Sequence, residues 1–135
     1  MKTMKILICE DNERKYNDIR EAIRIVMPEA KITWCKYAKT GVLELKNNEY
    51  DFLIQDMQLP LHSDEKIMIK GGIYVLQKLE YYQDSLNINP NIKVCVCSSD
   101  IASKDILTSE GFDIPFIEYT SYTFVSDIKE FLTNK

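Results

Sequence analysis

Three carboxylates and a pair of hydroxyls stand out in this 135-residue chain because each follows a short apolar run. Glu10 and Asp11 come after Ile6-Leu7-Ile8-Cys9, Asp56 comes just past Phe52-Leu53-Ile54, and Ser98-Ser99 comes after Val94-Cys95-Val96-Cys97. Apolar runs of this length, bounded by polar residues, suit strands buried on both faces. A lone acid at the carboxyl end of such a strand lies at the rim where open α/β sheets hold their ligands. With the first and third strands as parallel neighbours about 4.8 Å apart, the acids at their tips fall within roughly 5–7 Å of one another. At that separation they repel and raise each other's pKa values unless a cation neutralises them. Mg²⁺ fits such a set, being a hard cation held through one or two carboxylates and completed by water and phosphate oxygens. Asp56 can then act as a carboxylate nucleophile toward phosphorus, and the Ser98 hydroxyl can hydrogen-bond the phosphoryl oxygens. Taken singly, each acid reads better as a loop residue that caps a helix. An acidic pair, a terminal acid and a terminal serine on three strands in this order favour the chemical reading.

The elements that must position these groups follow from periodicity. Lys5 to Cys9 predicts a buried strand, and Asp11 or Asn12 caps the helix after it. In that helix Tyr16, Ile19, Ala22, Ile23 and Val26 recur at three- and four-residue spacing, and Pro28 closes it. Lys31 to Lys36 alternates as a strand exposed on one face, and about Lys39 to Asn47 forms a short helix. The third strand is Phe52-Leu53-Ile54, with Pro60 expected to stop further ladder pairing. The connection from Leu59 to Gly72 spans 14 residues, where a strand-to-helix link is normally about 2–6. Its centre is polar, while Ile67-Met68-Ile69 forms an apolar cluster in need of a covering surface. Ile73, Leu76, Gln77, Leu79 and Glu80 carry a third helix. The strand Val94 to Cys97, a short helix of about Ser103 to Ser109 stopped at Gly111, the strand Phe116 to Tyr119 and a last helix lined by Phe124, Ile128, Phe131 and Leu132 complete the chain. This alternation implies an α/β, three-layer doubly wound domain over residues 1–135 with a loop insertion at about 59–72. Its five-stranded parallel sheet has the expected order 2-1-3-4-5, with about five helices around it.

Composition narrows the function. A net charge of −4 with dispersed Lys and Arg argues against direct nucleic-acid binding. No apolar run approaches the roughly 18 residues of a membrane span, and the amino terminus turns acidic too soon for a signal peptide. The expected location is therefore the cytoplasm, with no membrane partner. The four cysteines Cys9, Cys35, Cys95 and Cys97 fall in or at the ends of strands and lack the paired Cys-x2-Cys spacing of a metal site. They read as buried small hydrophobes.

The motifs Ile-Leu-Ile-Cys-Glu-Asp-Asn, Tyr-Asp-Phe-Leu-Ile-Gln-Asp-Met-Gln-Leu-Pro and Val-Cys-Val-Cys-Ser-Ser, in this order, resemble those of the receiver domains of two-component response regulators. The resemblance runs from Lys5 to about Leu132 and implies the flavodoxin-like fold. It implies that Glu10 and Asp11 are the Mg²⁺-binding acid pair, that Asp56 is the phosphoacceptor and a further metal ligand, and that Gln58 ligates the metal through its main-chain carbonyl. Ser98 matches the switch hydroxyl, and Phe116 matches the aromatic that follows it inward. The implied partners are a histidine kinase or phosphotransfer protein and a downstream protein that reads the changed surface. Such a domain is a phosphoacceptor rather than an enzyme, catalysing at most its own phosphorylation and dephosphorylation.

The chain departs from the family at two places. The family's Lys-Pro pair at the end of strand five is replaced by Phe-Ile-Glu-Tyr-Thr-Ser, which puts Glu118 or Tyr119 where the Lys should be. A charge-assisted bond of about 1.5–3 kcal/mol is thereby lost, with Lys66, Lys70 or Lys104 as nearby substitutes. The second departure is the long segment after Asp56, which would hang over the pocket and carries His62, the only histidine. The fourth helix is also shorter than the family's, which weakens transfer of the dimer face on helices four and five. A pseudo-receiver, an interaction module with an inoperative pocket, is the competing reading. A small phosphatase is a third, and a flavin carrier is disfavoured because the first strand-to-helix loop lacks a Ser/Thr/Gly-rich phosphate cradle.

Overall fold

The computed structural model describes residues 3–62, 67–68, 71–83 and 88–134. In chain order the elements are β1 (Lys5–Cys9), α1 (Glu13–Val26), β2 (Lys31–Cys35), α2 (Ala38–Asn47), β3 (Phe52–Gln55), β4 (Leu59–Pro60), β5 (Ile67–Met68), α3 (Gly71–Tyr81), β6 (Lys93–Ser98), α4 (Ala102–Ser109), β7 (Phe116–Glu118) and α5 (Phe124–Thr133). Five strands form one parallel sheet of order β2-β1-β3-β6-β7. This is the expected order 2-1-3-4-5, with β6 and β7 as the fourth and fifth strands.

Successive strand residues face opposite sides of the sheet, and each side has its own core. Ile6, Ile8, Phe52, Ile54, Cys95 and Cys97 pack with Ile19 and Ile23 of α1 and Ile128 and Leu132 of α5. Leu7, Cys9, Leu53 and Val96 pack with Val42 and Leu45 of α2, Ile73 and Leu76 of α3, and Leu107 of α4. Because both faces are covered, the central strands read as unbroken apolar runs rather than alternating ones. The four cysteines are free and buried within these layers, as a hydrophobe role requires. Among the described residues, no helix is long and apolar enough to cross a membrane.

The segment after β3 corrects one expectation. Pro60 does not end ladder pairing there, because Leu59 and Pro60 pair antiparallel with Met68 and Ile67 in a two-stranded sheet of their own. A strand in such a pair has an open edge, and proline, which lacks only the N–H, is tolerated at an edge. The side chains of the Ile67-Met68-Ile69 cluster lie outside the described residues. The third helix also begins earlier than Ile73, at Gly71.

The two glycines at that helix start set the spacing behind the sheet rim. A Cβ on Gly71 would lie 1.9 Å from the Leu59 carbonyl oxygen, and one on Gly72 would lie 2.1 Å from the Asp56 carbonyl oxygen. The Gly72 N–H donates to the Met57 carbonyl at 2.8 Å, so α3 abuts the backbone immediately after β3. Gly72→Ala is therefore expected to destabilise the fold by about 1–3 kcal/mol, the usual cost of forcing extra volume into a packed site. Urea unfolding of the two proteins measures it.

Candidate functional site

The strand register brings the acids together. β1 and β3 pair with Ile8 opposite Ile54 and Cys9 opposite Gln55, so Glu10 and Asp56 leave neighbouring strand tips. The Asp56 N–H donates to the Cys9 carbonyl at 3.0 Å, and the Glu10 N–H donates to the Cys35 carbonyl at 2.9 Å. One carboxylate oxygen from each of Glu10, Asp11 and Asp56 lies within 4.8 Å of the others. Glu10 and Asp56 are buried and Asp11 is half-buried. Further contacts hold Glu10: its carboxylate accepts the Asn12 N–H at 3.1 Å, and its carbonyl accepts the Trp34 indole N–H at 2.6 Å. Trp34 in turn stacks on Tyr16, with ring centroids 4.0 Å apart. Asn12, one of the two expected caps, starts α1 by accepting the Lys15 N–H at 2.9 Å.

Lys15 is the residue at the centre of this cluster that sequence reasoning missed. Its Nζ lies 2.8 Å from Glu10 Oε1 and 3.1 Å from Asp56 Oδ1, and it donates to the Cys97 carbonyl at 2.8 Å. Only 5% of the residue is exposed. The signal was present in the helix pattern. Lys15 precedes Ile19 by four residues and Ile23 by eight, which places it on the buried stripe of α1 one turn after the acid pair. A lysine on an apolar stripe needs an acidic partner to be buried.

The other expected residues are distributed around this centre. A cavity of about 450 Å³ is lined by Glu10, Asp11, Asn12, Arg14, Lys15, Asp56, Gln58, Ser99 and Tyr119. Gln58 is thus at the site, its side-chain amide 3.4 Å from Asp100 Oδ2. Ser98 is buried at the end of β6, and its hydroxyl oxygen accepts the Asp100 N–H at 3.1 Å. Phe116, at the start of β7, is half-buried against the α2, α3 and α4 side. At the other end of β7 it is Tyr119, not Glu118, that lines the cavity. The Tyr119 hydroxyl donates to Asp18 of α1, and its ring lies 5.8 Å from Lys15 Nζ and edge-on to Phe124. Of the lysines expected to substitute for the missing one, Lys66 and Lys70 lie outside the described residues. Lys104 is exposed on α4 and His62 is exposed beside β4.

One ammonium among three carboxylates leaves the cluster short of positive charge. Burial, reinforced by the Asp56 charge, pushes the Glu10 carboxyl up to about 8, and Lys15 offsets this only in part. Burial also raises Asp56, against the lowering influence of Lys15, with Asp11 adding to the rise. Burial disfavours the Lys15 ammonium, but Asp56 and Glu10 outweigh it and raise the group above its ordinary value. This shortage of charge, met by an all-oxygen donor set, is what a hard divalent cation such as Mg²⁺ fits.

A carboxyl raised on folding contributes stability that is complete below its unfolded value and lost as pH rises through its folded value. For Glu10 the window runs from 4.5 to about 8. Lys15 shifts upward and so loses its contribution only above 10.5. In a metal chelator, the urea midpoint is therefore expected to fall between about pH 5.5 and pH 8.5. Glu10→Gln is expected to flatten that fall, and added Mg²⁺ to restore the alkaline midpoint.

No family model matches the chain. It is 33% identical over 82 residues to the uncharacterized protein y4jS of Sinorhizobium fredii, a match that spans 60% of this chain and 20% of that protein. Solved structures align over far more of it. The receiver domain of the sensor histidine kinase PA1611 from Pseudomonas aeruginosa, with magnesium coordinated in its active-site cleft, superposes with a TM-score of 0.71 at 14% identity, covering 97% of this chain and 95% of that one. The phosphorylated cyanobacterial phytochrome response regulator RcpA gives 0.69 at 18% identity over 99% and 97%. The Salmonella typhimurium response regulator RcsB gives 0.68 at 14% identity, and this chain covers 58% of it. Parallel strands in the order β2-β1-β3-β6-β7, flanked by five helices, superpose on each of these, and the chain accordingly has the fold of the response-regulator receiver domains.

Proposed function

We propose that residues 1–135 work as a cytoplasmic receiver domain that accepts a phosphoryl group on Asp56 in a Mg²⁺-dependent reaction and signals through a surface read by a protein partner. The observation that carries this reading is the convergence of Glu10, Asp11 and Asp56 within 4.8 Å at the tips of two adjoining strands. Magnesium in the PA1611 receiver and phosphorylation of RcpA add support from proteins of the same fold.

In this reading Glu10, Asp11, Asp56 and the Gln58 main-chain carbonyl hold the ion. When bound, Mg²⁺ supplies neutralising charge beside the reacting oxygens. Asp56 is fixed through its own N–H to the Cys9 carbonyl, and it presents a carboxylate oxygen to the phosphohistidine of a kinase or phosphotransfer protein. A bond forms between that oxygen and phosphorus while the phosphorus–nitrogen bond breaks, its electron pair returning to the imidazole. The Ser98 hydroxyl, now held by the Asp100 N–H, turns toward the phosphoryl oxygens, and Phe116 follows it inward. The change is read at the surface, so no turnover of an external substrate is involved.

The second reading, a phosphorylation-independent interaction module, draws on Tyr119, which stands at the end of β7 with its hydroxyl committed to Asp18. Incubation with acetyl phosphate, read by intact mass, separates the two. One Mg²⁺-dependent phosphoryl group is expected on the native protein and none on Asp56→Asn. An unmodified native protein at saturating Mg²⁺ would leave the interaction module as the better account.

A further inference from the structure

We propose that Lys15, delivered from the first turn of α1, is the cationic contact for a phosphoryl group carried on Asp56. The inference rests on the receiver reading and assigns a residue that the family pattern does not supply. Just past β7, where that pattern places a lysine, stands Tyr119, whose hydroxyl donates to Asp18 and whose side chain brings no positive charge to a phosphoryl oxygen. The positive charge has been moved rather than lost. Lys15 Nζ stands 5.8 Å from the centroid of that ring and 3.1 Å from the Asp56 oxygen.

Three features suit Lys15 to the task. Its ammonium hydrogen-bonds Asp56 Oδ1 and the Cys97 carbonyl and ion-pairs with Glu10 Oε1 at 2.8 Å, so it is aimed before any ligand arrives. It is buried, where a charge-assisted bond is poorly screened by water. Arg14, the other cation that lines the cavity among the described residues, is exposed. A phosphoryl group on Asp56 brings new oxygens and more negative charge within reach of Nζ, and the ammonium exchanges a carboxylate for a phosphoryl oxygen.

The same geometry makes a second, independent demand. Lys15 shares Glu10 and Asp56 with the bound cation, so it competes electrostatically with Mg²⁺ while assisting the phosphoryl group. Its removal must therefore push the two affinities in opposite directions. A residue that merely props up the pocket would lower both.

The test uses the full chain with Mg²⁺ alone and with Mg²⁺ plus beryllium chloride and sodium fluoride. Trp34 fluorescence follows the metal, since its indole N–H is bonded to the Glu10 carbonyl. Fluorine NMR follows the beryllofluoride adduct on Asp56. Lys15→Met is expected to bind Mg²⁺ at least as tightly as the native protein and the adduct at least about tenfold more weakly, the loss that follows removal of a charge-assisted hydrogen bond. A variant carrying both Lys15→Met and Tyr119→Lys, which returns the charge to the strand end, is expected to recover most of the adduct. An adduct unchanged in Lys15→Met, or a loss of Mg²⁺ and adduct together, overturns the assignment and leaves the receiver reading intact. A native protein that forms no adduct at saturating Mg²⁺ overturns both.

Discussion

Like charges held close together in a poorly solvated pocket must be balanced, and in this molecule the balance falls to one buried ammonium. Glu10 and Asp56 leave paired strand tips, and with Asp11 they lie within 4.8 Å of one another before any ligand is considered. An uncompensated carboxylate at such a site costs several kcal/mol in real proteins. Lys15 meets two of the three directly, and its alignment depends on every element around it. Asn12 fixes the start of the helix that carries it, Cys97 supplies its third acceptor from β6, and Tyr119 covers it from β7. The pocket is therefore a joint product of β1, α1, β3, β6 and β7 rather than of one loop.

Much of this was legible in the residues. The apolar runs Ile6–Cys9, Phe52–Ile54 and Val94–Cys97 suit strands covered on both sides, and parallel strands send all their carboxyl ends to one rim. The convergence of the acids follows from that. Lys15 was less legible because it lies away from the strand ends, and its signal is a charge on the apolar stripe of a helix. The choice between Glu118 and Tyr119 turned on which face of β7 meets the acids, and a three-residue strand gives too little alternation to decide it. The pairing of Leu59–Pro60 with Ile67–Met68 was hidden because two-residue strands have no period to read and proline argues against pairing everywhere except at an edge.

The helical layers have different duties. On one side α1 and α5 flank the charged centre and meet each other through the Tyr119 hydroxyl on Asp18 and the Tyr119 ring on Phe124. Asp18, three residues after Lys15 on α1, thus meets through Tyr119 a residue at the amino terminus of α5. On the other side α2 and α3 carry the added hairpin, whose Leu61 carbonyl accepts the Lys39 N–H of α2 at 3.1 Å.

A seam of two glycines lies behind Asp56. Gly72 is bonded to Met57, and Gly71 is pressed on Leu59, so the chain is pinned where it leaves the rim and pinned again where it returns. A side chain at either glycine would press directly on the backbone that seats Asp56 and Leu59, so the return of the chain and the seat of the aspartate are set together.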